Sequence, residues 1–128
     1  MGHTVVLLYP VPEVGWHVPR ELLRRIHWSH HSISDVLRNY PVTTSSQVYK
    51  QRTQVAWDLL DSIQGDRVYR LKPSEFFCDS FIKGRCITHT DKVSYYIDDD
   101  HLSRHGAEQV LIMFEELLER EGLASEGL

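Results

Sequence analysis

Thr4-Val5-Val6-Leu7-Leu8-Tyr9 is an unbroken run of β-branched and apolar residues, closed by Pro10 and Pro12. A short run without polar alternation reads as a strand buried on both faces, the pattern of a parallel sheet covered on two sides. Its counterpart is Val68 to Lys72. Between them Ser45 or Ser46 can cap a helix that runs to about Ile63 and stops before Gly65. Val48, Arg52, Val55, Leu59 and Ile63 form one stripe of that helix, beside Tyr49, Ala56 and Leu60. Strand, helix and strand joined by a right-handed crossover make a parallel βαβ unit. The expected fold is α/β with a mostly parallel sheet, of which only two strands are plain, fewer than the ~5 to 6 of a usual sheet.

Outward from this unit, Pro10, Pro12, Gly15, Pro19 and Pro41 break residues 10–44 into a long connection, in which only Arg20 to His27 has helical character. Connections of this length commonly carry binding or catalysis. After Lys72 come Cys78 and Cys86, a short run Val93 to Ile97, and Asp98-Asp99-Asp100-His101. Ser103 caps a last helix whose stripe is Ala107, Val110, Leu111, Phe114, Leu117 and Leu118, and Gly122 ends it as a C′ residue. Met1-Gly2-His3 reads as residues added ahead of the first strand, and 123–128 as a frayed tail. The strand that starts almost at once suggests the later part of a longer protein.

With 128 residues, 41% hydrophobic and 25% charged, the chain is a single globular domain. A formal charge of -4 lacks the basic footprint of general nucleic-acid binding, so no nucleic-acid partner is expected. No apolar run approaches the ~20 residues that span a bilayer. The seven residues between Cys78 and Cys86 suit a disulfide-closed loop, with two free thiols as the alternative. A disulfide would place the chain in an oxidising compartment.

Three carboxylates and an imidazole at one strand-to-helix turn admit three readings. An Asp three residues before a His can accept the Nδ1 proton and leave Nε2 as a general base. The acids can instead be solvated charges at a helix N-terminus beside a surface histidine, or they can hold a divalent cation. His27, His30 and His31 form a second candidate metal patch, set against plain solvation. Trp16, Trp28, Tyr40 and Tyr49 could stack on sugar rings, whereas Trp57 suits core filling.

The block Asp98-Asp99-Asp100-His101-Leu102-Ser103, followed by Gly106-Ala107 and a terminal helix, resembles the last block of the SGNH hydrolases, in the version fused to acyltransferase-3 membrane proteins that O-acetylate glycans. The strand and proline turn at Val5 to Glu13, the helix start at Tyr49 to Arg52 and the Cys78/Cys86 pair fit the same subfamily. The resemblance implies part of a flavodoxin-like three-layer sandwich lacking the N-terminal strands of a full SGNH domain. It makes Asp98 and His101 the catalytic acid and base, with Asp99 and Asp100 as intervening residues.

The family's Gly-Asp-Ser nucleophile block and its Gly and Asn oxyanion blocks have no match. Cys78-Asp79-Ser80 lacks the glycine, so Ser80 reads as a loop hydroxyl. The resemblance therefore implies the C-terminal half of a periplasmic acyltransferase or esterase domain within an inner-membrane protein. Its partners would be an acyl ester and a glycan, the missing half-domain and a membrane acyltransferase domain, with no metal or organic cofactor. The rival is a noncatalytic interaction or glycan-binding module that pairs through an exposed sheet edge, as homo-oligomer or otherwise.

Overall fold

A computed structural model describes residues 2–124, and its architecture is mixed α/β. From the N-terminus run β1 (Val5–Leu8), α1 (Val18–Trp28), α2 (Ile33–Asn39), β2 (Thr43–Ser45), α3 (Ser46–Ser62) and β3 (Val68–Leu71). Then follow α4 (Ser74–Phe77), β4 (Arg85–Ile87) and α5 (Arg104–Arg120). β1 and β3 pair in parallel with Val5 opposite Val68 and Leu8 opposite Leu71, as the βαβ reading requires. A separate antiparallel pair sets Thr43 opposite Ile87 and Ser45 opposite Arg85.

The helix ends follow their local chemistry. Ser45 Oγ accepts the Val48 N–H of α3 and Ser103 Oγ accepts the Gly106 N–H of α5. Gly122, at φ 67°, closes α5 in a Schellman turn, with Leu123 N–H donating to the Leu118 carbonyl and Gly122 N–H to that of Glu119. Of the tail expected to fray, residues 125–128 lie outside the described residues, as does Met1 of the three residues read as added ahead of β1. α1 is longer than its sequence signal because Pro19 suits a first helical turn and the His17 ring caps it. α2, capped by Ser32, is hidden in the proline-bounded stretch by its single buried residue, Val36.

Buried Val14, Val18, Val42, Tyr49, Phe77, Tyr95 and Tyr96 and the Cys78–Cys86 disulfide make the main core. The disulfide joins residues directly opposite each other in an antiparallel bridge. Two buried phenols pin the proline turn after β1: Tyr49 donates to the Pro10 carbonyl and Tyr96 to that of Pro12, each at 2.7 Å. Trp57 packs its ring edge-on to Tyr9, 4.6 Å between centroids.

The core therefore sits beside the parallel pair rather than around it, and three expectations change. β1 is not buried on both faces, since Leu8 is 56% exposed. The α3 stripe Val48, Val55, Leu59 and Ile63 points outward, Val55 at 82% exposure, while Tyr49, Thr53, Ala56, Trp57 and Leu60 face inward. Two adjacent stripes compete on this helix, and the inward one wins because Tyr49 and Trp57 carry both large rings and hydrogen-bonding tips. Val93 to Ile97 is not a strand; only isolated bridges, His89 with Ser94 and Tyr96 with Leu102, order it.

Candidate active site

Buried Tyr95 and Tyr96 lead directly into the acidic turn, which Ile97 N–H closes by donating to the His101 carbonyl at 3.0 Å. Within it Asp98 folds back on its own backbone. Its Oδ1 accepts the N–H groups of Asp100 and His101 at 3.0 and 2.7 Å, which fixes the carboxylate before any imidazole is considered. Asp98 Oδ2 then lies 2.9 Å from His101 Nδ1. Asp100 Oδ1 approaches the same nitrogen at 2.8 Å, so two acids share one ring edge.

The turn is held from both sides. Toward α5, Ser103 donates its N–H to the Tyr95 carbonyl and its hydroxyl to that of Ser94. Gly106 lies so close to the Tyr95 carbonyl oxygen that a Cβ could not fit. From the opposite side, Val14 N–H donates to the Asp99 carbonyl at 2.8 Å and Val18 N–H to that of Asp98 at 3.1 Å. Gly15, at φ 77°, makes the bend between those two donors, and Trp16 projects from it, 63% exposed. Sequence reasoning missed this clamp. Its only signal was the crowding of Pro12, Gly15 and Pro19 in one short stretch.

The electrostatics follow from the contacts. Backbone donors from His101 and Asp100 hold the Asp98 carboxyl down at about 2. The hydrogen bond that the His101 ring donates to Asp98, with the charges of Asp100 and Asp98, raises His101 above its ordinary value. The N-terminus of α5 opposes imidazolium, but its partial charge is outweighed by two carboxylates in direct contact. In neutral His101 the proton belongs on Nδ1, where both carboxylates accept it. Nε2 then carries the lone pair on a ring that is 70% exposed.

A family model described as "SGNH domain (fused to AT3 domains)" matches residues 1–116. The chain belongs to this SGNH family. It is an acyltransferase- or esterase-type module, in keeping with the α/β fold. No curated protein and no solved structure matches the chain.

For an SGNH module the question is which other polar groups meet the His101 ring. Ser80 does not: its hydroxyl is engaged by the carbonyls of Glu75 and Cys78 at 2.6 and 3.1 Å, in the disulfide loop. Ser94 and Ser103, near the turn, donate to the Tyr96 and Ser94 carbonyls. Among the described residues no serine hydroxyl bonds to His101.

Asp98, Asp100 and His101 place possible ligand atoms within 4.8 Å of one another, the only such group of three among the described residues. His27, His30 and His31 do not converge; His27 instead packs its ring edge-on against Trp28. His105 lies 3.6 Å from Glu108, on α5 itself. No helix among the described residues is long and apolar enough to cross a membrane.

Proposed function

We propose that this chain is the C-terminal portion of a periplasmic SGNH domain that moves acyl groups, acetyl above all, to or from glycan hydroxyls. Asp98 and His101 are its acid and base. The observation that carries the reading is the 2.9 Å contact from Asp98 Oδ2 to His101 Nδ1, which leaves Nε2 open on the surface. A serine from the upstream half of the domain completes the set.

In the first step His101 Nε2 takes the serine proton while Oγ bonds to the acyl carbon, and the donor oxygen leaves with that proton. In the second, Nε2 takes the proton of the acceptor hydroxyl, or of water in an esterase. The acceptor oxygen bonds to the acyl carbon, and serine departs with the proton returned. Asp98 keeps the ring oriented and stabilises its charged form throughout.

The exposed apolar faces support an upstream half-domain. Leu8 on β1 and Val55 and Leu59 on α3 are 56%, 82% and 65% exposed, surface that further sheet and helix elements would cover. The family's fusion to AT3 domains supports a membrane acyltransferase as the attached partner, and the disulfide supports an oxidising compartment.

Hydrolysis of p-nitrophenyl acetate tests the reading, measured on this chain and on the protein extended upstream. The extended protein should turn over and lose turnover in His101→Ala. The short chain should not exceed the rate of a surface histidine, because the family's oxyanion blocks have no match in it and oxyanion stabilisation is usually the largest catalytic term. Turnover by the extended protein that survives His101→Ala would sink the proposal.

A further inference from the structure

Three of the most exposed large aromatic side chains, Trp16, Trp28 and Tyr40 at 63%, 75% and 60%, have no part in the acyl chemistry and lie along one surface. Trp16 borders a hollow of about 340 Å³ that also meets Glu21, Arg24, Arg25 and Arg85. Trp28 and Tyr40 border a second, of about 460 Å³, and the two share Arg24 and Arg25. One end of this track is tied to the acidic turn, because Trp16 sits between the Val14 and Val18 N–H groups that bond to the Asp99 and Asp98 carbonyls.

We infer that this track binds an acidic oligosaccharide, with sugar rings on the exposed aromatic faces and carboxylates on Arg24 and Arg85. Charge supports this occupant. The chain carries -4 overall, yet three guanidinium groups here face the single carboxylate of Glu21. Arg24 grips that carboxylate with Nε and Nη2 and Arg25 shares it through Nε, which leaves Arg24 its Nη1 edge to meet a ligand. Arg25 is further committed to the Tyr40 and Pro41 carbonyls, both at 2.7 Å, which ties α1 to the chain entering β2 and keeps the track preformed. Arg85 bonds the neutral hydroxyl and carbonyl of Thr43, so its charge is uncompensated by those contacts.

Aromatic faces beside a cluster of guanidinium charge match a ring with an apolar face and a carboxylate edge. The carboxylates of the Asp98 turn would repel acid groups there. The ligand therefore lies with its acylated hydroxyl toward His101 and its acid groups toward the arginines. Its role as acyl acceptor rests on the function proposed above; the binding does not.

The test is a titration of the full chain with a galacturonic acid hexamer, its methyl ester and a neutral maltohexaose, followed by indole N–H shifts. The acid hexamer should move the Trp16 and Trp28 signals and bind more weakly as salt rises. Trp16→Ala and Arg24→Gln, both at exposed positions, should each weaken binding by about fivefold or more, and the methyl ester should bind weaker by a similar factor. Absence of saturable binding, or binding that neither variant weakens, overturns the inference; equal binding of the methyl ester overturns its acidic part. Trp16-dependent binding in a protein whose extended form shows no His101-dependent acyl transfer refutes the proposed function and leaves this inference standing. His101-dependent transfer without Trp16-dependent binding does the reverse.

Discussion

Two histidines twelve positions apart, His89 just beyond β4 and His101 at the acidic turn, occupy opposite environments. His89 is 6% exposed and spends both ring nitrogens on backbone: Nε2 accepts the Val42 N–H at 2.9 Å and Nδ1 faces the Thr90 carbonyl at 2.7 Å. The first contact requires a bare Nε2, so the ring is neutral with its proton on Nδ1. Burial pushes its pKa down, the Thr90 carbonyl opposes that, and the Arg25 charge adds to the depression. His101 has the same tautomer by a different route, through two carboxylates, and its Nε2 is left to solvent. The same side chain in the same tautomer is thus a structural tie in one region and an available base in the other. What differs is whether Nε2 is already used.

The largest effect that would test this contrast is catalytic. In the upstream-extended protein Asp98→Asn together with Asp100→Asn, which strips both acids from Nδ1, should lower turnover by ~10⁴-fold, by analogy with triads in which the acid sets the tautomer. His89→Gln, whose amide oxygen can still accept from Val42, should leave the rate near wild type. A comparable loss in both, measured under saturating ester, would erase the distinction.

Next in size is the disulfide that anchors β4. Replacing Cys78 and Cys86 by serine should cost about 2 to 3 kcal/mol in urea unfolding. The ionisation of His101, followed by its ring proton shifts, should stay where it was. Movement of that ionisation would mean that the two regions are coupled through the shared core.

His89→Ala should cost about 1 to 3 kcal/mol, because the Val42 N–H loses its acceptor inside the protein. His101→Ala should change stability far less, because its exposed ring leaves no buried group without a partner. Equal costs in the same denaturation series would contradict the assignment of His89 as the structural member.

The smallest effect is in pH dependence, where the two residues act with opposite sign. His89 has a depressed pKa in the fold, so the unfolded chain binds more protons as pH falls below about 6.5, and its contribution to stability falls with it. His101 has a raised pKa, so its contribution is present below about 6.5 and is lost as pH rises through the folded value. Stability profiles between pH 5 and 8, as ~0.5-unit steps, should flatten on the acid side in His89→Gln and on the neutral side in His101→Gln. The reverse assignment of slopes would overturn both environments.

Whatever depends on neighbours along the chain was legible in the residues themselves. Ser45 and Ser103 cap their helices, and Gly122 ends the last one, because each needs only groups within four residues. The Asp98 to His101 turn was legible for the same reason, since the Asp98 carboxylate accepts three of its hydrogen bonds from residues 100 and 101. The parallel pairing of β1 and β3 followed from two short strand-forming runs, Val5 to Leu8 and Val68 to Leu71, separated by a helix.

Tertiary structure alone decided what depends on groups far apart in sequence. It buried the Tyr49 and Trp57 face of α3 and exposed Val55 and Leu59, since helical periodicity cannot rank two adjacent apolar stripes without knowing where the phenol and indole find partners. It also set Val14 and Val18 against the acidic turn and brought His89 to Val42. Those contacts are made by backbone N–H groups, which every residue except proline carries, so no side-chain pattern announces them.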